Sequence, residues 1–506
     1  MTEARAKSGL HLGWAAALDR RAAFGFRSSA ELGKALKAEA EVILGPEDHA
    51  LTFAPTGAGK GTTSIIPLLL SHEGPAVVFD PKGEAAHVTA NWRRGLGHEV
   101  HIIDPFGVTG LPQARFNPLD LIDLARADAY DEARALAGCL IETDNDPRNA
   151  FWVNQSRQLI VAAMLQATAN APRSTRNAGT KAPRSARFDA VLQLCDAMRP
   201  GQNDWLRHSG VPEVARIAKL LDLGAPETIG GVLHFVEDAM ETLQSAPVRA
   251  ALGPSSFRLA DLIEGRPMTL YFVLPPHMLR SHSRLVRLWF GAVMQAMARR
   301  RRAPQQPTLF VIDEAAQLGR LEVFVTLMTL MRGYGVQVAS YWQDPAQLIR
   351  AYPDDWQSLR NNARLITAFG QTGPAALRDL ERFLGQAEGA LGAFAGVRLS
   401  QIEGHLMRAQ TRDYRYDADL MARAAPNPYH SAAIGPIERP AAKAPRRKPV
   451  SKRSRKRAPA PNDTVSLEDT TKAAREALGE ECRQVHEGLD ALFPISPPRD
   501  PDDSPL

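Results

Sequence analysis

Residues 51–70 read LTFAPTGAGKGTTSIIPLLL and have the pattern of a loop between a strand and a helix. An apolar run leads into closely spaced glycines and a lysine, and a second apolar run follows. Such a loop between a strand and a helix directs backbone N–H groups at bound phosphates. The strict pattern G-x-x-x-x-G-K-[ST] is broken at both ends, by Ala54 and Gly61. This stretch alone leaves open a phosphate-binding loop and a glycine-rich turn of purely structural use.

We predict that the loop binds a nucleoside triphosphate. Lys60 supplies positive charge for the β- and γ-phosphates, and the small residues around it let the backbone approach them. Because Gly61 has no hydroxyl group for Mg²⁺, Thr62 is the candidate ligand, either directly or through a water molecule. The predicted nucleotide-binding residues are Thr56, Gly57, Ala58, Gly59, Lys60, Gly61 and Thr62.

A second motif supplies two adjacent carboxylates. In PTLFVIDEAAQLGR, residues 307–320, Asp313 and Glu314 follow an apolar strand, and ligands of open α/β sheets bind at the carboxyl ends of strands. We assign Asp313 to Mg²⁺ and Glu314 to activation of the attacking water. Asp80 in AVVFDPKGE, residues 76–84, competes for the metal but lacks an adjacent glutamate, so we assign it a structural or supporting role. Together the motifs predict a P-loop ATPase with ATP and Mg²⁺ as cofactors.

Two further side chains are candidates for catalysis. Gln343 follows the strand VQVASYW, residues 336–342; it could sense the γ-phosphate or orient the water, or simply cap the next helix. Arg332 precedes that strand and could reach across a subunit interface as an arginine finger, or form an ordinary surface ion pair. The predicted catalytic set is Lys60, Glu314, Gln343 and Arg332.

Short apolar runs alternate with helical patterns and predict an α/β fold, with a mostly parallel sheet covered on both faces. The predicted strands lie at 49–54, 76–80, 99–104, 268–274, 308–313, 336–342 and 364–369. Residues 126–255 show helical spacing without a strand pattern, which predicts an all-α domain inserted into the sheet domain. The sheet domain is thereby divided into residues 46–125 and 256–425, after an N-terminal segment of residues 1–45.

The charge of the chain is concentrated near its end. Residues 426–506 are predicted to form a disordered basic tail that could carry a terminal helix. The formal net charge is +5, and residues 441–460 hold nine Lys or Arg and no acid, so the remainder sums to 5 − 9 = −4. Nucleic-acid contacts of the folded body must therefore be local. The tail is predicted to contact DNA or an anionic membrane surface.

Cysteine spacing and hydropathy limit the class of protein. Cys139, Cys195 and Cys482 are far apart, so neither a disulfide framework nor a zinc site is predicted. No apolar run approaches the roughly 18–20 residues that cross a bilayer. We therefore predict no transmembrane helix, including within residues 1–45, and a cytoplasmic location.

Further short motifs occur in a fixed order between about residues 45 and 385: APTGAGKG, IIPLLL, VVFDPKGE, DPF, FNPLD, FVIDEAAQLG, LMRGYGVQ and WQDPAQL. This combination resembles the TraG-type coupling proteins of type IV secretion, which are relatives of the FtsK and HerA motors. The resemblance implies a RecA-like motor with an inserted all-α domain, a homo-hexameric ring around DNA, and delivery of a relaxase-bound strand to a secretion channel. It also implies that Gly61 is a family variant. Members usually begin with transmembrane helices, and none is predicted here, which is a departure from the family. The resemblance implies action at the cytoplasmic face of the inner membrane.

The function expected from these motifs is that of an ATP-driven coupling protein, which recruits and pumps DNA to a type IV secretion channel. Two alternatives stay open. The chain could be an ATP-binding receptor that selects protein cargo for secretion, or an FtsK/HerA-like DNA translocase with no link to secretion. Stimulation of hydrolysis by DNA would separate a pump from a cargo receptor.

Overall fold

The computed structural model describes residues 10–16, 40–45, 47–141, 149–171, 187–198, 203–223, 225–392, 398–402, 405–410 and 412–430. These residues form one mixed sheet of eleven strands with helices packed on both faces. The strands are β1 Leu10–Ala16, β2 Ala40–Leu44, β3 His49–Phe53, β4 Ala76–Phe79, β5 Glu99–Ile103, β6 Met268–Phe272, β7 Thr308–Ile312, β8 Val336–Trp342, β9 Ala363–Ala368, β10 Leu399–Ile402 and β11 His405–Gln410.

The strands follow the order β2-β1-β11-β10-β9-β3-β8-β7-β4-β6-β5 across the sheet. All neighbours from β9 to β5 are parallel, and these seven strands are the ones that the sequence predicts, which confirms the predicted fold class. β8 lies between β3, which leads into the glycine-rich loop, and β7, which leads into Asp313 and Glu314. The carboxyl ends of these three strands therefore meet at one edge of the sheet.

Four antiparallel strands extend the sheet beyond β9 and were not predicted. β10 pairs with β9 and β11, and β1 pairs with β11 and β2. β1 and β2 lie within residues 1–45, to which the sequence assigns no strand. β1 meets its partner β11 almost four hundred residues later in the chain. A local sequence pattern cannot predict that two strands so far apart in the chain pair with each other.

The parallel strands are buried on both faces, because successive side chains alternate between two apolar layers. On β4, Val77 and Phe79 belong to the larger hydrophobic core, whereas Ala76 and Val78 belong to a second core on the other face. The same alternation recurs on β7 and β8. A sheet held from both sides gives the loops at its carboxyl edge a rigid base.

Helices connect the strands and fill the interval between β5 and β6. They are α1 Ile66–Ser71, α2 Glu84–Gly95, α3 Ala129–Leu140, α4 Ala150–Asn170, α5 Phe188–Asp196, α6 Asp204–Arg207, α7 Pro212–Leu223, α8 Pro226–Glu241, α9 Ala246–Ala251, α10 Leu259–Glu264, α11 Ser283–Ala298, α12 Glu322–Leu330, α13 Pro345–Ala351, α14 Trp356–Asn362, α15 Pro374–Leu384 and α16 Ala418–Arg423. Among the described residues of 126–255 there are helices and turns without a strand. The largely buried helix α4 contacts α3, α5, α7 and α8. The domain boundaries themselves stay a prediction.

Two predictions concern the ends of the chain. None of the helices that the structure describes is long and apolar enough to cross a membrane. The predicted basic tail lies outside the described residues from residue 431 onward, and so does its 441–460 segment.

A buried arginine fixes α2 against the sheet. The Arg93 guanidinium donates to the carbonyl oxygens of His72 and Gly74, just before β4, and its Nε donates to Thr269 Oγ1 of β6 at 3.0 Å. The side chain is fully buried, and burial lowers its pKa to about 10, so it stays charged at neutral pH. Arg93 therefore ties α2 to the sheet at the amino-terminal ends of β4 and β6.

We expect Arg93→Met to lower the free energy of unfolding by about 3 kcal/mol, because buried carbonyls lose charged donors without gaining water. Urea denaturation of the full chain measures this change. The neighbouring Arg94→Met is the matched control, since Arg94 is exposed and contacts Asn91 on its own helix. Equal, small effects of both substitutions would contradict the stabilising role of Arg93.

Candidate nucleotide-binding site

The glycine-rich loop has the backbone shape that phosphate binding requires. Gly57 and Gly59 adopt φ of 82° and 90°, values that side chains with a β-carbon rarely tolerate. The Gly59 carbonyl accepts the N–H of Thr63 at 3.0 Å, so the loop turns directly into helical backbone. A wide helical turn, Gly61–Ile65, then continues into α1. The loop thus aims its N–H groups and the start of a helix at one space, as in an anion site.

Both departures from the strict pattern have a structural reason. Ala54 is completely buried and donates its N–H to the Trp342 carbonyl at 2.8 Å, so it continues the pairing with β8 one residue beyond β3, where a methyl group is accommodated. A β-carbon at Gly61 would lie 3.3 Å from a carboxylate oxygen of Glu84. The side chain of Glu84 thus restricts the space that Ser or Thr would occupy at position 61.

Lys60 and Glu314 form the central contact of the site. Lys60 Nζ donates to Glu314 Oε1 at 2.8 Å, and both side chains are largely shielded from solvent. Glu314 has φ 49° and ψ 46°, the left-handed region, and is the one non-glycine residue with positive φ in the described part of the chain. Such a conformation costs roughly 1–3 kcal/mol and is typical of functional sites.

Gln343 is also placed at this contact. Its Nε2 donates to Glu314 Oε2 at 3.2 Å, so the two carboxylate oxygens are held by different partners. The Gln343 carbonyl accepts Gln371 Nε2 at 2.7 Å, and its N–H donates to Gln347 Oε1 at 2.9 Å. The capping alternative does not describe this side chain, because Asp344 is the residue that caps α13.

Two carboxyl groups lie side by side at the ends of β7 and β4. The register pairs Ile312 with Phe79, which places Asp313 beside Asp80. Burial raises the pKa of Asp313 to about 6, with the charge of Glu314 raising it further and Lys60 opposing. Burial also raises the pKa of Asp80 to about 7, although Asp80 Oδ2 accepts the Ala86 N–H at 2.8 Å. These poorly solvated oxygens fit a hard divalent cation, which would favour their ionised forms.

The geometry distinguishes Thr62 from its neighbour. Thr63 Oγ1 donates to the Gly59 carbonyl at 2.8 Å and accepts from Arg398 at 2.5 Å, so it is already held by two partners. Thr62 Oγ1 has a longer contact of 3.4 Å with the same carbonyl, and Thr62 lines the cavity. Thr62 is therefore the better placed hydroxyl for Mg²⁺.

Arg332 is not brought together with the other candidates. It lies in the turn Met331–Tyr334 before β8, at the opposite edge of the sheet from Gln343. Its side chain is exposed and donates to the Asn362 carbonyl at 3.2 Å. Arg332 therefore takes no part in the cavity of its own chain.

A C-terminal segment, residues 412–430, completes the site and was missed by sequence reasoning. The Tyr414 N–H donates to the Thr62 carbonyl at 3.2 Å, and Asn427 Nδ2 donates to Glu84 Oε1 at 2.7 Å. Tyr429 OH donates to the Lys82 carbonyl at 2.5 Å. We call this segment the strap. In the sequence, only the short motifs YRYD, residues 414–417, and NP, residues 427–428, resemble the family in this segment.

The loop, the acidic strand ends and the strap enclose a cavity of about 310 Å³. Its volume falls at the lower end of the range for small-molecule sites. The walls include the predicted residues Thr56, Gly57, Gly59, Lys60, Gly61, Thr62, Asp313 and Glu314. They also include residues that were not predicted, Lys82, Glu84, Arg415, Tyr429 and His430. Ala58 is not among the lining residues and instead donates its N–H to the Pro55 carbonyl within the loop.

Residues 19–386, more than half of the chain, match the family described as type IV secretory system conjugative DNA transfer. The chain belongs to this family. The strap lies beyond the matched residues, so part of the cavity wall is not included in the family match.

Individual relatives are consistent with the family match. Conjugal transfer protein TraG of Escherichia coli is 28% identical over 323 residues, which cover 60% of this chain and 49% of that protein. Protein VirD4 of Agrobacterium fabrum is 29% identical over 322 residues, which cover 61% of this chain and 45% of that protein. This family member thus spans about half the length of the curated relatives it matches.

A solved structure of the plasmid coupling protein TrwB, in complex with ADP and Mg²⁺, is also similar. The sequence identity is 17% and the TM-score is 0.52, and the match covers 76% of this chain and 85% of that one. At this identity the likeness establishes a shared fold.

We expect the ring of Tyr429 to stack on the base of a bound nucleotide, because it lines the cavity and remains 50% exposed. Base–aromatic stacking is worth about 1–3 kcal/mol, so Tyr429→Ala should raise the Kd for Mg²⁺·ADP roughly tenfold. Tyr429→Phe keeps the ring and should bind nearly as the parent. Isothermal titration calorimetry measures the Kd of the parent and of both variants.

The control is Tyr334→Ala, which removes an exposed aromatic ring outside the cavity. Unchanged affinity in Tyr429→Ala, or an equal loss in both alanine variants, would refute the stacking role.

Proposed function

We propose that this protein is the ATPase motor of a conjugative coupling system, which hydrolyses ATP to move DNA toward a type IV secretion channel. One observation carries the proposal: Lys60, Glu314 and Gln343 converge from three neighbouring strands, with contacts of 2.8 and 3.2 Å, beside a cavity of about 310 Å³. The family match supports the conjugative setting.

The binding step uses the loop and the adjacent strand end. N–H groups of residues 56–62 and the Lys60 ammonium would hold the phosphates. The Thr62 hydroxyl and the Asp313 carboxylate would hold Mg²⁺, with Asp80 close enough to support it. The ion would neutralise charge on the phosphates when bound. That TrwB is known in complex with ADP and Mg²⁺ supports this assignment.

The hydrolytic step depends on releasing Glu314. In the structure Glu314 Oε1 accepts a hydrogen bond from Lys60 Nζ at 2.8 Å, so this oxygen is occupied. When Lys60 turns to phosphate oxygens, Glu314 keeps its contact with Gln343 and becomes free to accept a proton from the attacking water. Gln343 would then orient both the carboxylate and the water.

Arg332 would act on the site of a neighbouring subunit. Its position at the opposite edge of the sheet excludes a direct role in its own cavity. We propose that a homo-hexamer brings it to the next cavity as an arginine finger. The remaining proposed partners are DNA, a relaxase or other secretion substrate, the components of the channel, and an anionic membrane surface at the cytoplasmic side.

Three substitutions separate the proposed roles. Lys60→Ala should raise the nucleotide Kd at least tenfold, because the phosphates lose their cation. Glu314→Gln should bind nucleotide at least as tightly as the parent, since no carboxylate competes for Lys60, but its kcat should fall about 10²- to 10⁴-fold. Arg332→Ala should leave affinity unchanged and lower kcat at least about tenfold. Calorimetry and steady-state hydrolysis measure both quantities.

The matched control is Glu388→Gln, because Glu388 is an exposed carboxylate outside the cavity. Hydrolysis by Glu314→Gln at the parental rate would disprove the assignment of the base. Hydrolysis that no DNA stimulates would favour the cargo receptor over the DNA pump.

A further inference from the structure

Two cavities lined by arginines lie next to the segment that follows Glu314. The first, of about 680 Å³, is lined by residues of α3, α4 and α7 and by residues 320–323. The second, of about 410 Å³, is lined by residues 316, 317 and 319 and by residues near the start of α11 and on α13. Both walls include Arg287. We call the two cavities together the arginine groove.

The groove concentrates positive charge. Arg134, Arg157, Arg216, Arg287 and Arg320 line the first cavity, and Arg280 and Arg350 are added by the second. The acidic lining residues are Asp131 and Glu322, so the formal charge is 7 − 2 = +5. The chain outside residues 441–460 sums to −4. A local excess of this size within a net negative body indicates a site for an anionic partner.

Several of these arginines are held in place by contacts with neighbouring groups. Arg157 donates to the Ile141 carbonyl at 3.1 and 2.7 Å, and Arg287 donates to the carbonyls of Cys139 and Leu318. Arg216 lies over the Tyr130 ring, with 5.6 Å to its centroid. Such contacts orient the guanidinium groups, and Arg320 also forms an ion pair with Asp355 at 2.8 Å. Burial lowers the pKa of Arg287 to about 10, which leaves it charged at neutral pH.

The groove is connected to Glu314 by two short paths. The Leu318 carbonyl, which accepts from Arg287, ends the turn Ala315–Leu318 that directly follows Glu314. Gln347 lines the second cavity and accepts the Gln343 N–H at 2.9 Å, while Gln343 donates to Glu314 at 3.2 Å. A ligand in the groove therefore touches groups that lie one or two contacts from the proposed base.

We propose that the arginine groove binds the phosphate backbone of a nucleic-acid strand, and that its occupancy adjusts the position of Glu314. A single nucleotide has too few phosphates for seven guanidinium groups on several helices, whereas a strand supplies one charge at each nucleotide. The inference rests on the proposed function and adds the place where DNA stimulates hydrolysis.

The test uses the full chain and four exposed groove arginines. Arg134→Gln, Arg216→Gln, Arg280→Gln and Arg350→Gln are combined in one variant. Its matched control combines Arg301→Gln, Arg302→Gln, Arg378→Gln and Arg382→Gln, which change the same charge at exposed sites outside the groove. A third variant has Lys at the four groove positions and keeps the charge. All three retain the tail, so its own contribution cancels in the comparison.

Fluorescence anisotropy measures binding of a labelled 30-nucleotide single strand and of the corresponding duplex at several salt concentrations, and ATP turnover is measured with and without each. The groove variant should bind at least about tenfold more weakly, and its log–log salt slope should be shallower by about 0.7 for each lost single-strand contact. Basal turnover should be unchanged and DNA stimulation lost. The control should match the parent, and the Lys variant should recover most of the binding.

Each other outcome is decisive. If DNA stimulates the parent and the groove variant equally, with equal affinities, the inference is wrong while the proposed function stands. If the control loses as much binding as the groove variant, the loss reflects total charge and the inference is also wrong. If the parent hydrolyses ATP but no strand stimulates it, the proposed DNA pump itself fails.

Discussion

The ion pair between Lys60 and Glu314 is the contact on which the rest of the site depends. It joins the loop after β3 to the end of β7 across 254 residues of sequence, and it exists because β8 alone separates those two strands. The positive charge of Lys60 and the negative charge of Glu314 compensate each other where both side chains are largely shielded from solvent. Gln343 donates a hydrogen bond to the second carboxylate oxygen. Nucleotide phosphates that bind Lys60 would therefore also release Glu314 from its ion pair. Nucleotide binding would in this way be coupled to activation of the base.

The structure also shows which backbone features the strict P-loop sequence pattern represents. The pattern summarises a geometry: a strand exit, two glycines with positive φ, a lysine, and a helix that begins at the loop. Ala54 preserves the strand exit, because its methyl group is buried. Gly61 is adjacent to Glu84, which in turn bonds Asn427 of the strap. The glycine at position 61, where the pattern expects Ser or Thr, therefore lies beside a carboxylate that is hydrogen-bonded by a residue hundreds of positions later in the chain.

The sequence predicts the features that depend on local patterns. The seven parallel strands are near-continuous apolar runs, and Lys60, Asp313, Glu314 and Gln343 each lie directly at a strand end or loop, so simple topology brings them together. The antiparallel edge and the strap could not be predicted in this way. β1 pairs with β11 almost four hundred residues away, and Tyr429 reaches Lys82 only through tertiary packing. The arginine groove has the same origin, because its residues come from separate helices whose packing has no local signature.

We expect nucleotide phosphates to replace Glu314 as the partner of Lys60. A structure of the full chain bound to Mg²⁺ and a non-hydrolysable ATP analogue would show whether they do. Lys60 Nζ should then lie within hydrogen-bond distance of phosphate oxygens, Thr62 and Asp313 should lie at Mg²⁺, and Glu314 should have left Lys60 but still contact Gln343. A nucleotide bound in the cavity with the 2.8 Å ion pair intact would contradict this expectation.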